Sequence, residues 1–276
     1  MCRRVCAMAT WIDDLQSPLF WRAVTAEALG TFLLVFFCTG SGTNWGDPPP
    51  SIVHLSLTSG LAVASILWCL ADVSGAHINP AVTLPMFLAR RISLARALVY
   101  VFAQCVGALA AAGVAKIVTP EKYRGTLGVN MLHPEVTPGA GLVVEVMITF
   151  VLVFTVFATC DTKRTDLKGS GPLAVGLAVT MAHLVAIKYT GSSMNPARTF
   201  GPAVVQGIWK DHWVYWCGPL LGGSLAGLLY DNVYAANASV VKAKAYFLTR
   251  SYDAGEFEKN QEKPLALGIV EAETCI

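Results

Sequence analysis

Ser74-Gly75-Ala76-His77-Ile78-Asn79-Pro80-Ala81-Val82-Thr83 decides the fold, because the chain carries the pattern twice. The second copy is Thr190-Gly191-Ser192-Ser193-Met194-Asn195-Pro196-Ala197-Arg198-Thr199. In each, a Gly-containing stretch leads to Asn, then Pro, then a short apolar segment. Asn favours the N-cap position and Pro the first helical position, so each copy reads as the start of a helix. Asn79, Pro80 and Ala81 open one, and Asn195, Pro196 and Ala197 open the other.

Outside these motifs the chain is apolar. Of its 276 residues 54% are hydrophobic and only 14% charged, well below the charged fraction of a soluble domain. The net charge of +2 is dispersed, so no block of basic residues points to nucleic acid. Five of the eight cysteines (Cys38, Cys69, Cys105, Cys160 and Cys217) lie in apolar runs, where Cys acts as a small hydrophobe rather than as part of a disulfide framework. The first 20 residues lack the apolar core of a signal peptide. No nucleophile–base pair lies at matched depth, so an intramembrane enzyme is not expected, nor is a metal or cofactor.

A bilayer core of about 30 Å needs roughly 20 apolar residues to cross as a helix. Six stretches qualify: about 20–42, 52–72, 94–117, 139–160, 171–189 and 212–235. The segments opened by the two motifs, about 79–88 and 195–206, are too short and reach only about halfway. The expected fold is therefore an all-α membrane protein of six transmembrane helices plus two half-helices. Non-helical backbone at membrane depth survives only where protein buries it or water wets it, so the loops before the half-helices should line a cavity.

The two halves keep one register. Ala26-Glu27-Ala28-Leu29-Gly30-Thr31-Phe32 matches Val144-Glu145-Val146-Met147-Ile148-Thr149-Phe150. Tyr100 and Tyr215 follow their Asn by 21 and 20 residues, and Gly107 and Gly222 lie seven beyond each Tyr. Three spans per half, an odd number, invert the second half relative to the first. Inverted repeats of about 20–117 and 139–235 place their interrupted helices face to face near the midplane. Residues 1–19 form an N-terminal segment. Residues 236–276 form a polar tail, expected to be partly disordered. Assigning both termini to the side with more Lys and Arg makes them cytoplasmic, which leaves the sequon at Asn237 inside the cell.

Several residues are candidates for a polar path. Asn79 and Asn195 can offer amide donors beside two helix N-termini, while Gly75, Ala76, His77, Ile78, Gly191, Ser193 and Met194 can offer carbonyl acceptors. Glu27 and Glu145, costly inside spans unless partnered, are expected to hold the loops by hydrogen bonds. Arg198 faces Val82 in the repeat, and an unmatched charge at a symmetric site points to function. His183 lies deep in the fifth span.

Paired Asn-Pro-Ala half-helices, Ser-Gly-Ala-His before the first and Arg198 after the second resemble the aquaporins over roughly residues 20–235. Thr199, Ala203, Tyr215 and Trp216 resemble the water-selective branch. Asn44-Trp45-Gly46 and Cys160-Asp161-Thr162-Lys163-Arg164-Thr165-Asp166 resemble its aquaporin-four-like subgroup. The resemblance implies a passive water channel in the plasma membrane, assembled as a homotetramer with one pore per subunit. It also implies a narrow filter at Ser59, His183, Ser192 and Arg198. Ser59 departs from the Phe usual in water-selective relatives, so passage of small neutral solutes (glycerol, urea or hydrogen peroxide) is the alternative. A non-conducting membrane junction protein of the same fold is another. Thr274-Cys275-Ile276 fits a ligand for PDZ domains, and Cys2 and Cys6 beside Arg3 and Arg4 are candidates for palmitoylation.

Overall fold

The computed structural model describes residues 11–46, 48–166 and 169–248. Cys2, Cys6 and Thr274–Ile276 lie outside them. A short α1 (Trp11–Gln16) precedes three long helices: α2 (Pro18–Gly42), α3 (Ile52–Ser74) and α5 (Leu94–Val118). Between the last two lies the half-helix α4 (Pro80–Leu88). The second half repeats the order with α6 (Pro138–Thr159), α7 (Gly171–Thr190), the half-helix α8 (Pro196–Gln206) and α9 (Val214–Leu229). A terminal α10 (Val240–Leu248) follows.

Local chemistry sets these boundaries. Ser51, Ser93, Thr137 and Ser170 each accept a backbone N–H of the first turn and so start α3, α5, α6 and α7. Gly75 and Gly191, both at positive φ, end α3 and α7. Among the described residues five helices are long and apolar enough to cross a membrane. The sixth span differs from its expected extent of 212–235: α9 has 16 residues and continues as one π-helical turn, Tyr230–Tyr234. The Ala235 N–H reaches back to the Tyr230 carbonyl at 2.8 Å, which widens the helix where the span ends.

The helices pair as two equivalent sets, α2 with α5 and α6 with α9, joined where α3 meets α7. Gly107 and Gly222 explain the closeness of the first two pairings. A Cβ at Gly107 would run into the Ala28 carbonyl, and one at Gly222 into the Val146 carbonyl. Gly60 and Gly176 play that part for each other where α3 crosses α7. The half-helices seat crosswise: α4 packs on α9 of the second half, and α8 on α5 of the first. Leu and Val side chains on the outer faces of α3, α5, α7 and α9 stay exposed, as a bilayer-facing surface requires.

Candidate functional site

Each half-helix starts at an Asn whose side chain caps it. Asn79 Oδ1 accepts from Ala81 N at 2.8 Å, and Asn195 Oδ1 accepts from Ala197 N at 3.0 Å and Arg198 N at 3.2 Å. With the oxygen committed to the cap, the amide nitrogen faces the other half. Asn79 Nδ2 donates to the Met194 carbonyl and Asn195 Nδ2 to the Ile78 carbonyl, both at 2.8 Å. An amide nitrogen carries two hydrogens, so each Asn keeps one donor beyond this exchange. The structure therefore brings Asn79 and Asn195 together at the ends of opposed half-helices.

The loops in front of them are held open by carboxylates. Glu27 is fully buried; its Oε1 accepts from Ser74 Oγ (2.6 Å) and His77 N (2.9 Å), its Oε2 from Ile78 N (2.6 Å) and Gln104 Nε2 (2.8 Å). Glu145, also fully buried, takes Thr190 Oγ1 (2.6 Å), Ser193 N and Met194 N (2.9 Å each). The tyrosines match as well: Tyr100 and Tyr215 donate to the Ser74 and Thr190 carbonyls at 3.0 Å. Binding of the N–H groups from behind forces the backbone into left-handed conformations. Ala76 and Ile78 have φ of 47°, Ser192 53° and Met194 52°. A β-branched residue such as Ile78 rarely adopts such a φ, and each position stores roughly 1–3 kcal/mol that the carboxylate bonds must hold.

A cavity of ≈ 60 Å³ open to water-sized spheres runs through this region. At roughly 10–15 Å³ per water it takes a short file of about four to six. Asn79, Asn195, Val82, Gly75, Ala76, His77, Ile78, Ser193 and Met194 line it, with Ser59, His183, Arg198 and Cys38 also on the wall, and Thr159 and Cys160 too. Gly191 and Ser192 stand outside that lining. The Gly191 carbonyl is taken by Asn130 Nδ2 at 2.8 Å, and Ser192 is fully buried.

The candidate filter residues have defined hydrogen-bonding states. His183 Nδ1 lies 3.0 Å from the Val179 carbonyl. A carbonyl only accepts, so Nδ1 carries the proton and Nε2 of the neutral ring is left as an acceptor. Arg198 Nη1 donates to the Gly128 carbonyl at 2.7 Å and to Asn130 Oδ1, which fixes the guanidinium, while its buried Nε makes no hydrogen bond. Ser59 Oγ donates to the Leu55 carbonyl at 2.9 Å and lies 3.5 Å from Cys38 Sγ.

Sequence reasoning passes over Gln104 and Asn130 and reads Cys38 only as a small hydrophobe. Gln104, four residues past Tyr100 in an apolar span, carries a legible signal, since a buried amide in a membrane helix needs partners. Asn130 comes from an unrepeated connection and carries none.

Residues 14–230 match the family model described as major intrinsic protein. The chain is 52% identical over 238 residues to aquaporin-4 of Homo sapiens, covering 85% of this chain and 73% of that one. It is 50% identical over 243 residues to aquaporin-4 of Rattus norvegicus, covering 87% and 75%. Its fold is similar to the X-ray structure of the aquaglyceroporin from Plasmodium falciparum, with a TM-score of 0.70 at 23% identity over 78% of this chain and 96% of that one.

Proposed function

The chain belongs to the major intrinsic protein family, in its aquaporin-4-like branch, and on that premise we propose that it conducts water passively down osmotic gradients. One observation carries the reading. Two opposed half-helices meet through a reciprocal Asn–carbonyl exchange inside a cavity that leaves each amide one free donor. A water oxygen that accepts from both amides is turned so that its hydrogens point away along the file. Its neighbours bond to carbonyls of the two loops and to His183 Nε2. The positive ends of α4 and α8, with the fixed charge of Arg198, oppose cations and protons. No bond is made or broken, and the chain is a channel rather than an enzyme.

The filter reading assigns selectivity to Ser59, His183, Ser192 and Arg198, of which Ser59, His183 and Arg198 line the cavity while Ser192 is buried beside it. Ser59 and Cys38 put two small polar groups where a ring would narrow the path, which favours a second reading: small neutral solutes such as glycerol pass alongside water. We place both termini in the cytoplasm because Arg90, Arg91, Arg96, Lys163 and Arg164 lie on that side. A homotetramer in the plasma membrane is the assembly that the resemblance implies, and a PDZ domain at Thr274–Ile276 is the proposed protein partner.

Stopped-flow light scattering on proteoliposomes tests the reading, with sucrose and then glycerol as the osmolyte. Water flux well above empty liposomes is expected. Flux equal to empty liposomes would make the protein a non-conducting junction component.

A further inference from the structure

We propose that a groove between the end of α9 and α10 binds one anionic phospholipid, in the leaflet facing the chain termini, through a headgroup that also carries N–H or O–H donors. The groove is open, has a volume of ≈ 540 Å³, and mixes apolar walls from Val233, Val240, Phe247 and Leu248 with Asn232, Ser239 and Lys244.

Four observations lead to this occupant. The first is continuity with the bilayer. Leu221, Leu225, Leu229 and Val233 recur every four residues and are 52, 57, 39 and 58% exposed, so one apolar stripe descends α9 and ends in the groove. An acyl chain lying along that stripe delivers its headgroup there. The second is charge: Lys244 is exposed and has no hydrogen bond or ion pair among the described residues, which suits a phosphate. Lys242, by contrast, is buried and committed to the Asp231 carbonyl (2.9 Å) and Asn237 Oδ1 (3.0 Å). The third is Ser239. Its Oγ accepts from Lys242 N at 3.1 Å, so its own proton is left to donate to a phosphate oxygen. The fourth is an orphan acceptor. Asn232 Nδ2 donates to the Leu228 carbonyl at 2.9 Å, which fixes the amide orientation, and leaves the buried Oδ1 with no partner. Because that oxygen is sealed from solvent, a headgroup ammonium or hydroxyl supplies the missing donor when the Asn232 side chain turns outward. The groove is held in place, since Tyr246 donates to the Leu88 carbonyl at 2.6 Å and anchors α10.

The test is native mass spectrometry of the full-length protein titrated with phosphatidylserine or phosphatidylcholine, beside Lys244→Gln and Ala243→Trp, the latter filling the groove. The protein should retain phosphatidylserine in preference. Lys244→Gln should lower that retention about five-fold, the worth of one lysine at a charged membrane surface, and Ala243→Trp should abolish the preference. Water permeability of both variants should match the parent. Equal retention of the two lipids, or no change in either variant, overturns the proposal. So does a rise in lipid binding on truncation after Leu248, which would show that the tail fills the groove.

Discussion

At Arg198 the two halves of the chain stop being equivalent, and that asymmetry bears on selectivity. Its repeat partner is Val82, so Arg198→Val makes the site symmetric again. The substitution removes the fixed charge and the guanidinium bonds to Asn130 Oδ1 and the Gly128 carbonyl, while Asn130 keeps its bonds to Gly191 and Thr199. Cation and glycerol leakage should rise more than water flux falls, which ion-flux and light-scattering assays on the same proteoliposomes will compare. Ser59 calls for the opposite experiment. Ser59→Phe replaces a hydroxyl beside Cys38 with a ring in the cavity wall. Glycerol uptake should fall by an order of magnitude or more, as a file closed to the larger solute requires, while water flux persists. Unchanged glycerol uptake would place the selective constriction elsewhere.

Among the elements, the half-helix loops depend on their carboxylates. Glu145→Gln keeps the size but sets an N–H donor against the N–H groups of Ser193 or Met194. Each buried donor left unpaired costs about 1–3 kcal/mol, and the left-handed Ser192 and Met194 lose their restraint. Thermal stability in detergent and water permeability should fall together; a variant with parental values for both would sink this account. Gly107→Val tests the close crossing of α2 and α5 separately. The added carbons meet the Ala28 backbone, which cannot yield as a side chain can, and about 1–3 kcal/mol of overpacking is expected as a lower unfolding temperature. These elements were legible in advance because duplication makes register visible: Glu27 and Glu145, Tyr100 and Tyr215, and the paired glycines stand at matched distances from their Asn. The π-helical end of α9 was not, since hydropathy reports apolar length and is blind to which carbonyl an N–H selects. Cys38 escaped for a related reason. A thiol in an apolar run reads as packing, and only the crossing of α2 and α3 puts it beside Ser59.

Across the whole molecule, the terminal α10 is tied to the bundle by charge as well as by Tyr246. Asp231 is buried and pairs with Arg91 at 2.7 Å and Lys242 at 3.5 Å, linking the far end of the first half-helix, the π turn and α10. Asp231→Asn removes the carboxylate that faces the buried Lys242 and the part-exposed Arg91, a loss that reaches about 3–5 kcal/mol where a charge is fully buried. Amide hydrogen exchange in α10 should accelerate in that variant while α3 and α7 stay protected; equal protection in α10 would show that its other contacts suffice. The Asp231 link joins segments distant in sequence and belongs to no repeat, so only coordinates reveal it.

The crosswise seating of α4 and α8 has a consequence for biosynthesis. The ribosome makes α4 early, yet the surface that receives it belongs to α9, the last span to emerge. A nascent chain halted before Val214 holds its first Asn-Pro-Ala segment without its main packing surface, with only the smaller contacts to α5, α6 and α8 in place. A cysteine placed on α4 in such a stalled chain should be labelled by a water-soluble maleimide, and it should become shielded once translation has run past Leu229.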